Sequence, residues 1–446
     1  MRVFVGIDLG STTTKAVILD DQSKIVGRGI TNSRSNYDVA SQIARQEAFV
    51  QARFKLTRDA LSADSELSGA EDFFLPLLDR KFRLSHHLEE LDRLAVELHK
   101  AADGPRHAGY SGSLHQLLDE IVEEMQQRTR KHFGALAVRK SEFFRDLAAA
   151  DYMQLAEERS DPKGIAFETL TSLFDQAILP VENSTSAEAL EQLIDDAMDA
   201  ALEASQTSMA DRVDSLRRAV DAARTTVFDE VATVGTGYGR QRLPFPKEQI
   251  RSEILCHGLG AHTMFSGTRT VLDIGGQDTK AIQVDENGLV TSFQMNDRCA
   301  AGCGRYLGYI ADEMNVGVHE LGPIACKSTR PVRINSTCTV FAGAELRERL
   351  SLGEKREDIL AGLHRAIILR AMSLLARSGG VADQFTFTGG VAKNDAAVGA
   401  LRGLVGENYG DVQMNISPDS IYTGALGAAL FARREWQQSA ATGEQA

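Results

Sequence analysis

The stretch VLDIGGQDTKAIQV, residues 271–284, predicts more about this chain than any other segment. Two apolar, β-branched runs flank the turn GGQD at residues 275–278, which predicts a strand, a tight glycine turn and a returning strand. The N-terminal stretch VFVGIDLGSTTTKAVILD, residues 3–20, repeats this pattern, with Asp8 in the place of Asp273. We interpret the two hairpins as a duplicated clamp for nucleotide phosphates.

Each predicted turn offers the groups that bind a phosphate. A glycine turn lets backbone N–H groups approach closely, because no side chain stands in the way. Asp8 and Asp273 end their strands, where carboxylates are placed to hold Mg²⁺ directly or through water. Gln277 or Glu253 would orient the attacking water. The other predicted nucleotide-binding residues lie in the three glycine turns: Gly10, Ser11, Thr12, Thr13, Lys15, Gly275, Gly276, Gly389, Gly390 and Lys393.

The order of these motifs also predicts the fold. The sequence has no G-x-x-x-x-G-K-[ST] stretch, which excludes a P-loop. Two hairpin clamps and a later TGG turn, separated by strand and helix patterns, resemble the actin, sugar-kinase and heat-shock-chaperone ATPase superfamily. That resemblance implies an α/β fold with two lobes facing one cleft. We expect lobe I at residues 1–30 and 226–265, and lobe II, with the cysteine-bearing helices and a closing C-terminal helix, at residues 266–446.

The middle of the chain has a different composition. Residues 31–230 contain 6 of the 38 glycines and carry a net charge of −14, against +1 for the remainder. Apolar residues recur at three- and four-residue spacing in stretches such as LSHHLEELDRLAVELHKAA, which predicts helices. We therefore assign residues 31–225 to an acidic helical insertion, which is either a solvated scaffold or a docking surface for a partner subunit.

Composition and termini limit the partners and the compartment. The formal net charge of −13 argues against a nucleic-acid surface. Met1 leads directly into a predicted strand, without the basic and apolar segments of a secretory signal. The most apolar helical segment, residues 366–376, is too short to span a bilayer. We expect a cytoplasmic protein with no membrane partner.

Four of the five cysteines follow the second clamp closely. Helix starts are predicted near Cys299 and Cys338, where the helix dipole and N–H groups stabilise thiolates and suit a thiolate-ligated cluster. Cys303 would share a helix face with Cys299. For Cys256 and Cys326 we predict inert burial. Zinc in a four-cysteine site is the alternative to a cluster, although the cysteine spacings lack the paired x2 knuckles of structural zinc sites.

Six segments give a closer resemblance. DLGSTTTK, SEILCHGLGAH, DIGGQDTK, NDRCAAGCGRYL, NSTCTVFA and TGGVAKN together resemble the ATP-dependent reductase activators, which include activators of 2-hydroxyacyl-CoA dehydratases and ATPase subunits of benzoyl-CoA reductase. The resemblance covers residues 1–30 and about 231–435. It implies one [4Fe-4S] cluster shared between two subunits, with Cys299 and Cys338 as this chain's ligands. The family usually has threonine at Cys303, which is therefore an extra thiol or an alternative ligand.

The insertion directs the choice within this family. The small homodimeric activators lack it, and it resembles the larger of the two ATPase subunits of ferredoxin-dependent benzoyl-CoA reductase. This implies an ATP-dependent aryl-CoA reductase component in a heterotetramer. Its expected partners are reduced ferredoxin, the catalytic CoA-ester-binding subunits and a smaller homologous ATPase subunit. A 2-hydroxyacyl-CoA dehydratase activator is the alternative within the family, and a small-molecule kinase or a non-redox ATP-dependent clamp is the alternative outside it.

Overall fold

A computed structural model describes residues 1–33, 36–134, 144–161, 164–182, 187–205, 212–237, 243–297, 302–334 and 339–442. The chain divides into two compact units. Unit 1 comprises Met1–Phe49 and Phe228–Ala446, and unit 2 comprises Val50–Val227. Both sheets belong to unit 1, and the described part of unit 2 is helical.

The first sheet contains the N-terminal hairpin. Its strands are β1 (Arg2–Leu9), β2 (Thr13–Leu19), β3 (Ile25–Asn32) and β4 (Asp229–Gly237). The order is β3-β2-β1-β4, antiparallel except for the parallel pair β1 and β4. The central strand β1 is buried on both faces, as its nearly continuous apolar sequence requires.

The second sheet repeats this arrangement and adds one strand. Its strands are β5 (Thr270–Ile274), β6 (Thr279–Val284), β7 (Val290–Asn296), β8 (Phe385–Thr388) and β9 (Met414–Asn415), in the order β7-β6-β5-β8-β9. The predicted hairpins are therefore confirmed. The duplication reaches single residues, because each clamp aspartate has a lysine opposite it on the antiparallel side and a threonine on the parallel side: Asp8 with Lys15 and Thr236, and Asp273 with Lys280 and Thr388.

The helices that precede β4 form most of unit 2. They are α1 (Tyr37–Ala63), which begins in unit 1, α2 (Ala70–Ala102), α3 (Ser111–His132), α4 (Phe144–Arg159), α5 (Phe167–Glu182), α6 (Ala187–Ser205) and α7 (Val213–Thr225). Two apolar clusters hold unit 2 together. The N-terminal half of α2 packs with α1, α6 and α7, and its C-terminal half packs with α3, α4 and α5. The long helix α2 therefore joins both clusters.

The remaining helices surround the two sheets. They are α8 (Glu253–Met264), α9 (Gly304–Met314), α10 (Val318–Ala325), α11 (Thr339–Ser351), α12 (Arg356–Ser378), α13 (Asp395–Tyr409) and α14 (Thr423–Thr442). The closing helix α14 lies very near β1 and α8. A Cβ at Gly6 would lie 2.1 Å from the Ala425 carbonyl oxygen, and a Cβ at Gly427 would lie 1.9 Å from that of Cys256. Small residues on this face are thus a packing requirement.

Helix α12 is the one described helix that is long and apolar enough to cross a membrane. Of its apolar window, 61% is buried inside the unit. Its side chains, among them Ile359, Leu363 and Ile367, belong to the apolar core around the second sheet. The helix is therefore accounted for as a core element of unit 1.

Candidate nucleotide and metal site

Ionisable side chains come together where the first strand of each clamp hairpin ends. Asp8 lies near the end of β1 and Asp273 near the end of β5. Helix α8 begins with Glu253 and places His257 on the same face, four residues later. The second hairpin adds two more groups. All six side chains are more than nine-tenths buried: Asp8, Glu253, His257, Asp273, Asp278 and Lys280.

Lys280 is the central cation of this cluster. Its Nζ lies 2.8 Å from Glu253 Oε1, 2.7 Å from Asp278 Oδ2 and 3.4 Å from Asp273 Oδ2. Burial alone would lower the pKa of Lys280, but the three carboxylates outweigh burial and raise that pKa well above its ordinary value. Lys280 therefore remains a buried ammonium ion.

His257 lies between the two halves of the duplicated site. Its Nδ1 is 3.3 Å from Asp273 Oδ1, and its Nε2 is 3.9 Å from Glu253 Oε1 and 4.0 Å from Asp8 Oδ2. Burial alone would lower the pKa of His257, but the charge of Asp273 outweighs burial and raises it. Helix α14 encloses the group, because a Cβ at Gly424 would lie 2.8 Å from both Asp8 Oδ2 and His257 Nε2.

The two carboxylates at the centre have opposite pKa shifts. Burial raises the pKa of Asp273, but His257 and Lys280 outweigh burial and lower it well below its usual range. Burial also raises the pKa of Glu253, and there Lys280 and His257 only partly offset it. A carboxyl with a raised pKa is the kind of group that acts as a general base, so Glu253 has the properties expected of a water-orienting residue.

The two clamp aspartates differ in how many of their carboxylate oxygens have a partner. Asp273 Oδ1 accepts a hydrogen bond of 2.8 Å from Thr388, and its Oδ2 faces Lys280. Asp8 Oδ2 is 3.8 Å from Lys15 Nζ, and the buried Asp8 Oδ1 has no hydrogen-bond partner among the described residues. A buried oxygen without a partner is costly, so Asp8 is the aspartate that has room for a cation.

The residues around Asp8 fit a divalent metal ion. One ligand atom each of Asp8, Glu253 and His257 lies within 4.8 Å of the other two. Carboxylate oxygens are the donors that Mg²⁺ prefers, and Mg²⁺ retains several waters, so His257 need not be a direct ligand. The donor set and the unsatisfied Asp8 oxygen agree in indicating this half of the site.

The two glycine turns touch each other. A Cβ at Gly276 would lie 2.1 Å from Thr12 Oγ1, and a Cβ at Gly10 would lie 2.9 Å from Lys15 Nζ. The backbone of the second turn therefore reaches the hydroxyl group of the first, and Lys15 stands over the first turn. This brings predicted phosphate-binding groups of both hairpins into one place.

The second turn is also bonded to the start of α9. The N–H of Gly304 donates to the Gly275 carbonyl at 2.8 Å, and the N–H of Arg305 donates to the Gly276 carbonyl at 2.7 Å. Thr279 Oγ1 donates to the Gly302 carbonyl at 2.6 Å. Any movement of this turn must therefore move the segment that contains Cys303.

The described cysteines correct one prediction. Cys303 caps α9 with extended backbone (φ −137°, ψ 177°), so it precedes that helix. Cys326 is exposed, because it ends α10 at the surface, and its predicted burial is wrong. Cys256 is fully buried as predicted, and burial raises the pKa of its thiol to about 12. Cys299 and Cys338 lie outside the described residues.

The structure places the other predicted site residues either in the buried cluster or in the glycine turns. Asp8, Glu253 and Asp273 are brought together in the buried cluster. Gln277 is half-buried in the second turn. Gly389 has a left-handed φ of +86° that favours glycine, and it begins a short 3₁₀ turn, Gly390–Lys393, whose Lys393 is exposed.

Sequence reasoning did not assign His257 to the site, and it counted Lys280 only as the end of the second glycine turn, not among the site residues. His257 has a local signal, since it follows Glu253 by one helical turn. Lys280 has a signal in the duplication, because it stands opposite Asp273 as Lys15 stands opposite Asp8. A comparison of the two hairpins, residue against residue, would have found Lys280.

Comparison with known proteins identifies a family and close relatives. The family model "BadF/BadG/BcrA/BcrD ATPase family" matches residues 5–432. The chain is 44% identical over 221 residues to the (R)-2-hydroxyglutaryl-CoA dehydratase activating ATPase of Acidaminococcus fermentans, covering 50% of this chain and 82% of that protein. It is 32% identical over 217 residues to a benzoyl-CoA reductase subunit of Thauera aromatica, covering 49% of this chain and 76% of that protein.

A solved structure supports the predicted fold. Component A of the Acidaminococcus fermentans (R)-2-hydroxyglutaryl-CoA dehydratase superimposes with a TM-score of 0.52 at 24% identity, covering 98% of this chain and 100% of that one. At this level of identity the likeness concerns the fold alone. The fold is thus the α/β fold that the order of motifs predicts.

Replacing Lys280 tests the buried cluster. Lys280→Met should lower the free energy of unfolding by about 3–5 kcal/mol, because three buried carboxylates lose their common counter-ion. Lys15→Met is the comparison variant, since Lys15 faces one carboxylate, at 3.8 Å, and its loss should cost less than that of Lys280. Urea unfolding followed by the single tryptophan, Trp436, which packs on Phe4 of β1, reports on unit 1. Equal losses in the two variants would contradict the assignment.

Proposed function

Because the chain belongs to the BadF/BadG/BcrA/BcrD ATPase family, we propose that it couples ATP hydrolysis to electron transfer as the activator of a 2-hydroxyacyl-CoA dehydratase. The observation that carries this proposal is the 44% identity to an activating ATPase, across 82% of that protein. The identity to a benzoyl-CoA reductase subunit is lower, at 32%. The proposal therefore reverses the order of the two functions expected from the sequence.

The buried cluster supports the ATPase half of the proposal. Asp8 would hold Mg²⁺, and Glu253, with its raised pKa, would orient and accept a proton from the attacking water. Lys15 and the backbone N–H groups of the two glycine turns would bind the phosphates. Lys280 would not take part in chemistry; it holds Glu253, Asp273 and Asp278 in place.

The hydrogen bonds to α9 support coupling between the nucleotide and the cysteine segments. The carbonyls of Gly275 and Gly276 are bonded to the first N–H groups of α9, directly after Cys303. A phosphate that draws the second turn toward Thr12 would pull on these bonds and shift α9. Helix α11, which begins one residue after Cys338, would move with α9 because a Cβ at Gly343 would lie 2.4 Å from Tyr309 Oη.

The proposed cofactor is a [4Fe-4S] cluster shared between two subunits, with Cys299 and Cys338 as ligands from this chain. Thiolates are the donors that such clusters require, and both cysteines adjoin segments that lead into α9 and α11. When bound, the cluster supplies a one-electron carrier of low potential. We propose a cytoplasmic location, which fits an enzyme activator of this family.

Unit 2 favours a second candidate. The relatives align with about half of this chain, whereas residues 50–227 form a compact unit of their own. A helical unit of this size fits the large ATPase subunit of a ferredoxin-dependent benzoyl-CoA reductase. That protein would share its cluster with a smaller ATPase partner and serve separate catalytic subunits that bind the CoA ester.

Capture under anaerobic conditions separates the two candidates. The full chain, tagged and expressed in its own host, is purified without oxygen, and the proteins that co-purify are identified by mass spectrometry. A homodimer that associates with a dehydratase and activates it with ATP and dithionite is the expected result. Recovery of a smaller homologous ATPase together with aryl-CoA-reducing subunits would favour the second candidate and overturn the first.

Asp8→Asn tests the proposed metal site. The substitution should abolish Mg²⁺-dependent ATP hydrolysis, because losing a charged metal ligand costs several kcal/mol of transition-state stabilisation. Mn²⁺ binding, measured by electron paramagnetic resonance, should weaken in Asp8→Asn and much less in Asp273→Asn, since Asp273 is already bonded to Thr388 and Lys280. The iron content should be unchanged in both variants. Retained hydrolysis in Asp8→Asn would place the metal elsewhere.

Single cysteine substitutions test the proposed ligands. Cys299→Ser and Cys338→Ser should each remove most of the iron and abolish activation of the partner enzyme, while ATP hydrolysis persists. Cys303→Ser should keep most of the iron, because Cys303 is buried at the helix cap. The exposed Cys326→Ser variant is the matched control and should behave as the parent protein does. Iron loss in Cys303→Ser alone would show that the ligands are assigned wrongly.

A further inference from the structure

Two histidines of unit 2 meet at the end of a helix pair, apart from the nucleotide site. His99 lies in the last turn of α2 and His115 in the first turns of α3. Their Nδ1 atoms are 2.5 Å apart, their ring planes differ by 14°, and their ring centroids are 4.8 Å apart. With the two nitrogens 2.5 Å apart, the ring centroids are farthest apart when each ring points its Nδ1 atom straight at the other ring. The observed centroid distance of 4.8 Å is close to that maximum. The rings therefore meet edge to edge, with Nδ1 directed at Nδ1.

The opposite edges of both rings face carboxylates. His99 Nε2 lies 2.9 Å from Asp119 Oδ1, and His115 Nε2 lies 3.0 Å from Asp103 Oδ1. An ionised carboxylate only accepts hydrogen bonds, so each Nε2 must carry the hydrogen. In a neutral ring the lone pair is then on Nδ1. Two neutral rings would thus direct two lone pairs at each other, and this contact requires an electron-pair acceptor between them.

We propose that His99 and His115 form a binding site for a divalent metal ion of the imidazole-binding class, such as Zn²⁺, with the Nδ1 atom of each ring as a ligand. A metal-bound histidine typically donates its other N–H to a carboxylate, which fixes the tautomer and strengthens the ligand. Both rings already have that carboxylate. Each imidazole side chain is 28% exposed, so an ion can enter directly from solvent.

The surrounding charges favour a cation. The charged groups that the described contacts place against the pair are Asp119 of α3 and Asp103 at the end of α2. Lys100, the residue after His99, faces Glu97 at 3.4 Å. Two carboxylates with no opposing cation among these contacts attract a dication. Water would complete the coordination sphere.

Metal binding requires a small rearrangement of the rings. With Zn–N distances of about 2.0–2.1 Å, two histidine nitrogens on one ion lie roughly 3.0–3.4 Å apart. The rings must therefore separate by less than roughly one ångström and turn so that their lone pairs converge. Both side chains lie at the partly exposed end of the helix pair, where side-chain torsions permit this.

Calorimetric titration of the full chain with Zn²⁺ tests the proposal. Excess Mg²⁺ is included to occupy the Asp8 site, and the cysteines contribute equally to all variants. We expect the parent chain to bind one more Zn²⁺ ion than His99→Gln or His115→Gln. His107→Gln, which removes a neighbouring histidine that faces Tyr110, should match the parent chain.

Variants that keep both imidazole rings control for misfolding. Asp119→Asn and Asp103→Asn retain the two imidazoles and should weaken Zn²⁺ binding by about 10–100-fold. In spectra of the chain labelled with ¹⁵N-histidine, Zn²⁺ should shift the Nδ1 resonances of both rings. Equal Zn²⁺ stoichiometry in the parent, His99→Gln and His115→Gln would overturn the metal site. That outcome does not bear on the proposed ATPase function.

Discussion

The architecture of unit 1 depends on the burial of Lys280 among three carboxylates. Its ammonium contacts Glu253 of α8, Asp278 of the second turn and Asp273 of β5, so one charge joins a helix, a turn and a strand. Buried carboxylates without a counter-ion would repel one another and take up protons instead. Lys280 offsets part of the cost of burying Glu253, whose pKa nevertheless stays raised.

The two halves of the site share one framework and differ in the contacts of their aspartates. Asp8 and Asp273 occupy equivalent positions, each opposite a lysine and beside a threonine. In the second half those neighbours satisfy the aspartate. In the first half the lysine is more distant, and one aspartate oxygen lacks a partner within the described part of the chain. We infer that one half provides structure and the other provides a place for the metal ion.

Close packing connects this electrostatic centre to the rest of unit 1. Helix α14 approaches so near that Gly424 adjoins Asp8 and His257, and Gly427 adjoins the backbone of α8. On the other side, backbone hydrogen bonds join the second turn to α9. Because packed helices transmit displacement more readily than they deform, a change of the bound nucleotide would reach the cysteine segments through few contacts. This is the physical basis of the proposed coupling.

The sequence by itself determined the hairpins, the helical character of the middle of the chain, and the fold, because strand alternation, glycine turns and helical periodicity are local properties. It also placed Asp8, Glu253 and Asp273 among the candidates. Only the tertiary structure brought His257 and Lys280 to them, exposed Cys326, and set His99 against His115. His257 and Lys280 carry local signals relative to Glu253 and Asp273, but the meeting of α8 with both hairpins, like that of His99 with His115, depends on strand register and helix packing between distant segments.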